Sequence, residues 1–190
     1  FKDDTRPTTL KERYLNDKKS IFRISHVQQR SISLKLQNEI IKYFKKIINK
    51  IDALIISDFN YGLLTDSIIK KIISIAKKRK IFIAADSQSS SQIGNVSKYK
   101  GIDLITPTEN EARVSLKNFQ DGIIVIAENL RKSTHVKNII LKLGEEGILI
   151  HKKDKKLIYD NDRVQSLNIH PLSTSGAGDC LLAAATLSMT

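Results

Sequence analysis

The chain has 190 residues, of which 41% are hydrophobic, and a formal net charge of +12. This length suffices for one good core or at most two small ones. No apolar run is long enough to span a bilayer and residues 1–6 carry no secretory signal, so we expect a soluble globular protein. A single cysteine, Cys180, excludes an internal disulfide and agrees with a cytoplasmic location.

The lysine pattern argues against nucleic-acid binding as the reason for the positive charge. Along residues 40–48 lysines are interleaved with isoleucines at helical spacing, which is typical of a solvated face opposite a buried one. No RNA-recognition aromatic motif or helix-turn-helix spacing accompanies them. The histidines lack metal-ligand spacing, so we expect them at the surface or in loops. We expect no specific nucleic-acid partner and no membrane partner.

The first part of the chain predicts a hairpin followed by a helix. Two short runs with strand character, residues 7–14 and 20–27, flank a turn signal at 16–19. Apolar residues then recur at helical spacing over residues 33–49, which indicates an amphipathic helix.

Buried-type strands alternate with helices through the middle of the chain. Continuous apolar runs at 53–57, 81–85 and 102–106 have strand length. Helices are predicted at 65–80 and 109–116, each after a polar start signal.

The pattern after residue 120 is less regular. Residues 122–134 are compatible with a helix or a strand, because a β-branched run precedes a helical one. The runs 139–143 and 147–151 flank a Gly-Glu-Glu turn and predict a second hairpin. A short strand is expected near 157–159.

This order of elements predicts an α/β fold with a mostly parallel sheet and helices on both faces. Without internal repeats or a low-complexity linker, residues 31–190 form one core and residues 1–30 form an appended hairpin. Ligands of such sheets gather at the carboxyl ends of the strands. The residues predicted at those ends are Asp58, Asp86, Thr108 and Gly144.

The segment from Ser173 to Asp179, Ser-Thr-Ser-Gly-Ala-Gly-Asp, carries the strongest chemical signal. Glycines let a backbone approach a ligand, and the first turn of the apolar helix that follows offers unpaired N–H groups. This combination binds phosphate oxygens. An acid there repels phosphate unless it takes a proton, so the segment indicates phosphoryl transfer to a hydroxyl with Asp179 as base. A tight turn with a helix-capping aspartate is the alternative.

Together with the small residues after it, this segment resembles the C-terminal signature of the PfkB (ribokinase-like) carbohydrate kinases. Ser173 stands where the family usually has an aspartate that often helps to bind a monovalent cation. The resemblance implies a ribokinase-like fold, ATP and Mg²⁺ as cofactors, and a sugar or sugar phosphate as acceptor. Backbone N–H groups of Gly176, Ala177 and Gly178 would form the anion hole.

Further blocks resemble the bacterial heptose-7-phosphate kinases, a branch of this family. They are residues 6–14 and 22–25, which resemble the segment of the lid, and residues 57–65, 86–88, 106–112 and 143–147. Tyr61 and Gln88 depart from the pattern where lysine is expected, and Thr108 replaces an asparagine. Lysines supply charge for binding a sugar phosphate, so a related sugar is also compatible.

The resemblance assigns roles to residues outside the signature. Glu111 would position Mg²⁺, while Thr108, Lys142 and Gly144 would border the nucleotide. The candidate substrate contacts, in the hairpin lid and at the strand ends, are Arg6, Thr8, Lys11, Arg13, Asp58 and Asp86. Both aspartates are equally compatible with helix capping. Hairpin lids of this family often pair across a two-fold axis, so the resemblance implies a homodimer through the lid.

Two other functions are compatible with the sequence: a nucleoside or vitamin kinase of the same fold, and a non-catalytic basic binding module. These kinases usually have a strand and a Gly-Gly substrate loop before the lid, and a segment that packs around the adenine after the signature helix. Neither has a counterpart in this sequence. We therefore expect a fragment with weak or no activity by itself.

Overall fold

The computed structural model describes residues 1–16, 19–87, 95–152, 160–167 and 174–190. The strands are β1 Leu10–Asn16, β2 Lys19–His26, β3 Ala53–Asp58, β4 Phe82–Ser87, β5 Leu104–Ile105, β6 Asn138–Lys142, β7 Ile148–Lys152 and β8 Asp160–Val164. The α-helices are α1 Leu34–Ile47, α2 Asp66–Lys78, α3 Glu109–Leu116, α4 Ile123–Thr134 and α5 Ala177–Met189. Short 3₁₀ turns cover Ile48–Lys50, Val96–Lys98 and Gly144–Glu146.

The main sheet has six strands in the order β3-β4-β5-β6-β7-β8. Strands β3 to β6 are parallel, and β7 and β8 continue the sheet in antiparallel pairing. The mostly parallel sheet and the second hairpin, β6–β7, are therefore confirmed. The strand expected near 157–159 lies outside the described residues.

Strands β1 and β2 form a separate antiparallel hairpin, as predicted for the first residues of the chain. A bulge interrupts their register between Tyr14 and Leu15. Side chains of a strand alternate between its two faces, so Lys11 and Arg13 share one face while Leu10 and Tyr14 share the other.

The two faces of the main sheet are covered by different helices. In β4, Ile83 and Ala85 are buried in a large cluster with apolar residues of α1 to α4, whereas Ala84 packs with Leu182 of α5 on the opposite face. Helices therefore lie on both sides, as predicted. No helix among the described residues combines the length and the apolar character needed to cross a membrane.

Helix α4 resolves the ambiguous region in favour of a helix. Its β-branched Ile126 is fully buried together with Ala127 and Leu130, and this packing outweighs the local strand preference of the sequence. The predicted strand at 102–106 shortens to Leu104–Ile105, and beyond its end Pro107 has no N–H to continue the ladder.

Candidate active site

The candidate site lies where the carboxyl ends of β3 and β4 meet the beginning of α5. The parallel register places Ser57 opposite Asp86, and helix α5 packs on both strands. Ligand sites of open α/β sheets lie at this edge. The fold therefore brings the signature turn to the ends of these strands.

Asp179 occupies the first turn of α5 and is exposed. Ser57 Oγ lies 3.5 Å from Asp179 Oδ1, at the limit of a hydrogen bond. The positive end of the helix dipole favours a carboxylate at this position. The side chain is thus accessible and held close to the strand ends, which are the conditions that a base acting on a bound hydroxyl requires.

The turn before α5 depends on the conformation of Gly176. This residue caps the helix with a φ of 82°, in the left-handed region that glycine adopts without strain. The Ala177 amide donates to the Thr174 carbonyl over 3.2 Å. This bond differs from our expectation that the Ala177 amide faces a ligand, since the turn itself uses that donor.

Lys142 and Asp86 form an ion pair next to the turn. Lys142 Nζ lies 3.1 Å from Oδ1 and 2.9 Å from Oδ2 of Asp86. A Cβ built on Gly178 would lie 3.3 Å from Lys142 Nζ and 3.9 Å from Asp86 Oδ2. The pair therefore packs directly against the residue that precedes Asp179.

Glu111 belongs to a capping box at the beginning of α3. Thr108 Oγ1 accepts from the Glu111 amide at 3.2 Å, and the Glu111 carboxylate accepts from the Thr108 amide at 2.8 Å. Thr108 also pairs with Lys142 in an isolated parallel bridge. These three predicted residues are therefore brought together, and Glu111 is buried.

Burial is the main influence on the electrostatics of Asp86. Burial raises the pKa of the Asp86 carboxyl above its ordinary value, the Lys142 ammonium opposes the rise, and the negative charge of Glu111 adds to it. Gly144 lies two residues beyond Lys142, exposed, with a φ of 65°.

Asp58 is buried in a polar cluster beneath the strand ends. Its Oδ1 accepts from the Asn60 amide at 2.8 Å, and its Oδ2 accepts from Lys98 Nζ and, at 3.0 Å, from the Tyr99 hydroxyl. Burial and the negative charge of Asp58 raise the pKa of the Tyr99 hydroxyl. Lys98 also donates to Asn60 Oδ1 at 2.6 Å. Sequence reasoning missed Lys98, because no motif connects it to Asp58.

The hairpin contributes basic side chains to the same region. Arg13 Nη1 donates to Ser175 Oγ in the signature turn at 2.9 Å. Lys11 Nζ lies 4.4 Å from the ring centre of Phe59 and 5.1 Å from that of Tyr61, within the range of a cation–π contact.

Arg6 holds the base of the hairpin to the core. Its Nη1 donates to the carbonyls of Arg30 and Tyr61 at 3.0 and 2.9 Å, and its Nε pairs with Asp3 at 3.2 Å. Arg6 and Thr8 line a cavity of about 200 Å³ with Tyr61. Of the positions that depart from the family pattern, Gln88 and Ser173 lie outside the described residues.

Comparison with known proteins identifies the family. The family model described as pfkB family carbohydrate kinase matches residues 4–189. The bifunctional protein HldE of Helicobacter hepaticus is 26% identical over 100% of this chain and 38% of its own length. That of Wolinella succinogenes is 28% identical over 94% of this chain and 36% of its own length. The chain thus spans less than two fifths of these curated relatives.

Solved structures show the same fold. Phosphofructokinase-2 from Escherichia coli has a TM-score of 0.67 at 19% identity, over 88% of this chain and 54% of that protein. Ribokinase from Arabidopsis thaliana has a TM-score of 0.63 at 16% identity, over 88% of this chain and 52% of that protein. The fold is thus ribokinase-like, and the chain belongs to the pfkB family of carbohydrate kinases.

Proposed function

We propose that this chain carries the phosphoryl-transfer site of an ATP-dependent kinase that acts on a hydroxyl of a sugar or sugar phosphate. The observation that carries the proposal is the position of Asp179, exposed at the first turn of α5 and 3.5 Å from Ser57 at the end of β3. Family membership supports the same reaction class.

In the proposed reaction the acceptor hydroxyl gives its proton to the Asp179 carboxylate as its oxygen attacks the γ-phosphorus of ATP. A new O–P bond forms, the bond between the γ-phosphorus and the bridging oxygen breaks, and ADP leaves. General base catalysis of this kind contributes about a hundred- to ten-thousandfold in rate. Gly176 and Gly178 would supply backbone donors to the transferred oxygens, next to the positive end of α5.

Residues around α3 fit the cofactors that the family uses. Mg²⁺ is usually held by one or two carboxylates together with substrate phosphates and water. Glu111 offers such a carboxylate, fixed by the capping box with Thr108 and close enough to Asp86 to affect its pKa. When bound, Mg²⁺ would neutralise charge on the phosphates of ATP. Lys142, which pairs with Thr108, and Gly144, two residues further along the chain, would border the nucleotide.

The acceptor that we propose is a sugar phosphate of the heptose-phosphate type. The sequence blocks shared with heptose-7-phosphate kinases support it, as does similarity to HldE proteins. Arg6, Thr8, Lys11 and Arg13 lie on or beside the hairpin and would contact this acceptor. Asp58 and Asp86 already pair with lysines of the protein. To contact the sugar directly, each carboxylate would have to accept from a sugar hydroxyl in addition to its lysine.

We also propose that the protein works in the cytoplasm as a homodimer joined through its hairpins. Leu10, Tyr14, Phe22 and Ile24 are exposed apolar residues of the hairpin, and the rings of Tyr14 and Phe22 stack at 4.3 Å. A group of exposed apolar residues of this kind is typical of an interaction surface.

The test is a transfer assay of the full protein that contains this chain, with γ-labelled ATP and Mg²⁺, against free sugars, sugar phosphates including heptose 7-phosphate, nucleosides and vitamins. The expected result is labelling of a sugar or sugar phosphate above every nucleoside and vitamin. Labelling of a nucleoside or vitamin alone would contradict the proposed substrate class, and absence of transfer to every acceptor would contradict the kinase.

A further inference from the structure

The ion pair between Lys142 and Asp86 spans an unusual distance within the sheet. Strand β5 lies between β4, which carries Asp86, and β6, which ends at Lys142. Neighbouring strands are about 4.8 Å apart, so the two backbones are separated by about 10 Å. Because β5 ends at Ile105, the lysine side chain can cross above it and reach Asp86.

The ion pair is largely buried, and its ammonium group lies next to Gly178 of the signature turn. The Asp86 side chain is 2% exposed and that of Lys142 is 17% exposed. An ammonium group has three N–H donors, and the two oxygens of Asp86 account for two of them. Gly178 has no side chain to separate the ammonium from the turn, since a Cβ there would lie 3.3 Å from Nζ.

A purely structural role would give this pair little value. Desolvation of two buried charges commonly cancels their attraction, and apolar replacements of such pairs are often as stable. The pair is also close to neutral overall, so it does not add a free positive charge beside Asp179. What it adds is the third N–H of the ammonium, which no bond among the described residues uses, beside the turn where the transferred phosphoryl group would lie under the proposed function.

We propose that Asp86 is a positioning residue, which holds Lys142 so that the remaining N–H of its ammonium contacts the phosphoryl group in transfer. This inference rests on the proposed function. It differs from our sequence expectation, in which Asp86 contacts the sugar and Lys142 borders the nucleotide. Gly178 has a corresponding role, because a Cβ there would lie 3.3 Å from Nζ and the ammonium would have to shift by a few tenths of an ångström.

The experiment compares, in the full protein that contains this chain, Lys142→Met, Lys142→Arg, Asp86→Asn and the double variant Asp86→Asn with Lys142→Met. The matched control is Lys137→Met, which removes the exposed ion pair with Asp103 before the opposite end of the same strand. Each purified variant is first checked for folding by circular dichroism. The readouts are kcat and KM for the best acceptor, and the Kd of ATP–Mg²⁺ from isothermal titration calorimetry.

Loss of one preorganised donor typically lowers kcat by about a hundred- to a thousandfold, so we expect a fall of about that size for Lys142→Met. Lys142→Arg should recover at least part of it. Asp86→Asn should lower kcat with little change in acceptor KM, and the double variant should be no worse than Lys142→Met, because Asp86 acts through Lys142. Lys137→Met should match the parent.

Two results would overturn the inference. One is a parent-like kcat in Lys142→Met. The other is a raised acceptor KM in Asp86→Asn together with a double variant whose loss of kcat/KM equals the product of the two single losses. That result would make Asp86 an independent contact of the sugar. If Lys142→Met does not fold, Lys142→Gln takes its place with the same expectations.

The design separates this inference from the proposed function. If the parent binds ATP–Mg²⁺ but transfers phosphate to no sugar, the kinase proposal fails while the inference is judged on binding. The inference then predicts that Lys142→Met raises the Kd of ATP–Mg²⁺ about tenfold and that the double variant has a Kd no higher than that of Lys142→Met. Equal Kd values across the set, or no ATP–Mg²⁺ binding by the parent, would overturn it.

Discussion

Arg13 of strand β1 donates from Nη1 to Ser175 Oγ, in the turn that precedes Asp179, over 2.9 Å. The contact joins the hairpin to the signature turn. Lys11, two residues earlier on the same face, lies over the ring of Phe59 beside the end of β3. The hairpin therefore presents its basic face to the candidate site. Substitution of Arg13 tests whether the hairpin contacts a bound substrate.

Arg13→Ala should raise KM for a phosphorylated acceptor about tenfold and leave the Kd of ATP–Mg²⁺ nearly unchanged. A hydrogen bond between charged groups contributes roughly 1.5–3 kcal/mol, which corresponds to an effect of at least this size. Steady-state kinetics on the acceptor measure it. The control is Arg79→Ala at the end of α2, and an acceptor KM equal to that of the control would remove Arg13 from substrate binding.

Replacing Phe22 by glutamate should convert a dimer into a monomer. Leu10, Tyr14, Phe22 and Ile24 share an exposed face of the hairpin with the pair Glu12–His26, and Phe22 stacks on Tyr14. A glutamate in place of Phe22 would therefore put an additional, unpaired charge into an interface on this face. Sedimentation or light scattering measures the mass. Leu167→Glu, at an exposed leucine outside the hairpin, is the control, and an unchanged mass in Phe22→Glu would refute pairing through this face.

Glu128 should make the protein more stable at neutral than at acidic pH. Hydrogen bonds that the Glu128 carboxylate accepts from Arg131, with a further one from the His151 ring, lower its pKa from 4.5 to about 2. A carboxyl with a depressed folded pKa stabilises the protein fully above its unfolded pKa, and this contribution is lost as the pH falls from 4.5 towards 2. Glu128→Gln should therefore lower the free energy of unfolding by roughly 1.5–3 kcal/mol at pH 7.

Urea denaturation at several pH values tests this expectation. The difference between parent and Glu128→Gln should narrow as the pH falls through the window from 4.5 to 2. A difference that stays constant over that window, or that is absent at pH 7, would show that the Glu128 charge does not stabilise the fold.

Gly147→Ala should destabilise the fold far more than Gly144→Ala. Both glycines have positive φ, but a Cβ on Gly147 would lie 2.1 Å from the Val164 carbonyl oxygen, whereas a Cβ on Gly144 has no heavy atom within 4 Å. Left-handed strain alone costs about 1–2 kcal/mol, which is the expectation for Gly144→Ala. Thermal unfolding measures the stability of both variants. Equal losses of stability would mean that backbone strain, and not the contact of the new Cβ with Val164, sets the effect of Gly147→Ala.

Local patterns were sufficient to predict the mostly parallel sheet and the helix that carries Asp179. Buried-type strands that end in polar residues indicated the sheet, and the apolar run after the Gly-Ala-Gly turn indicated helix α5, while the catalytic role of Asp179 stays a prediction. Contacts between distant segments could not be predicted in this way. Lys98 reaches Asp58 from a separate 3₁₀ turn, and no spacing in the sequence connects them.

The histidines illustrate the same limit of local patterns. We expected them at the surface or in loops, yet His151 is fully buried, with Nε2 2.9 Å from Glu128. A partner on another element satisfies its ring, and only the packing of α4 against β7 brings the two together.

The most direct test of the central claim is the turnover of Asp179→Asn, measured beside Asp66→Asn in the full protein. Asp66 also lies in the first turn of a helix, so it controls for the loss of a carboxylate near a helix dipole. We predict that Asp179→Asn lowers kcat at least a hundredfold while the Kd of ATP–Mg²⁺ stays within a few-fold of the parent, and that Asp66→Asn changes neither. A kcat for Asp179→Asn close to that of Asp66→Asn would contradict the role of Asp179 as the base.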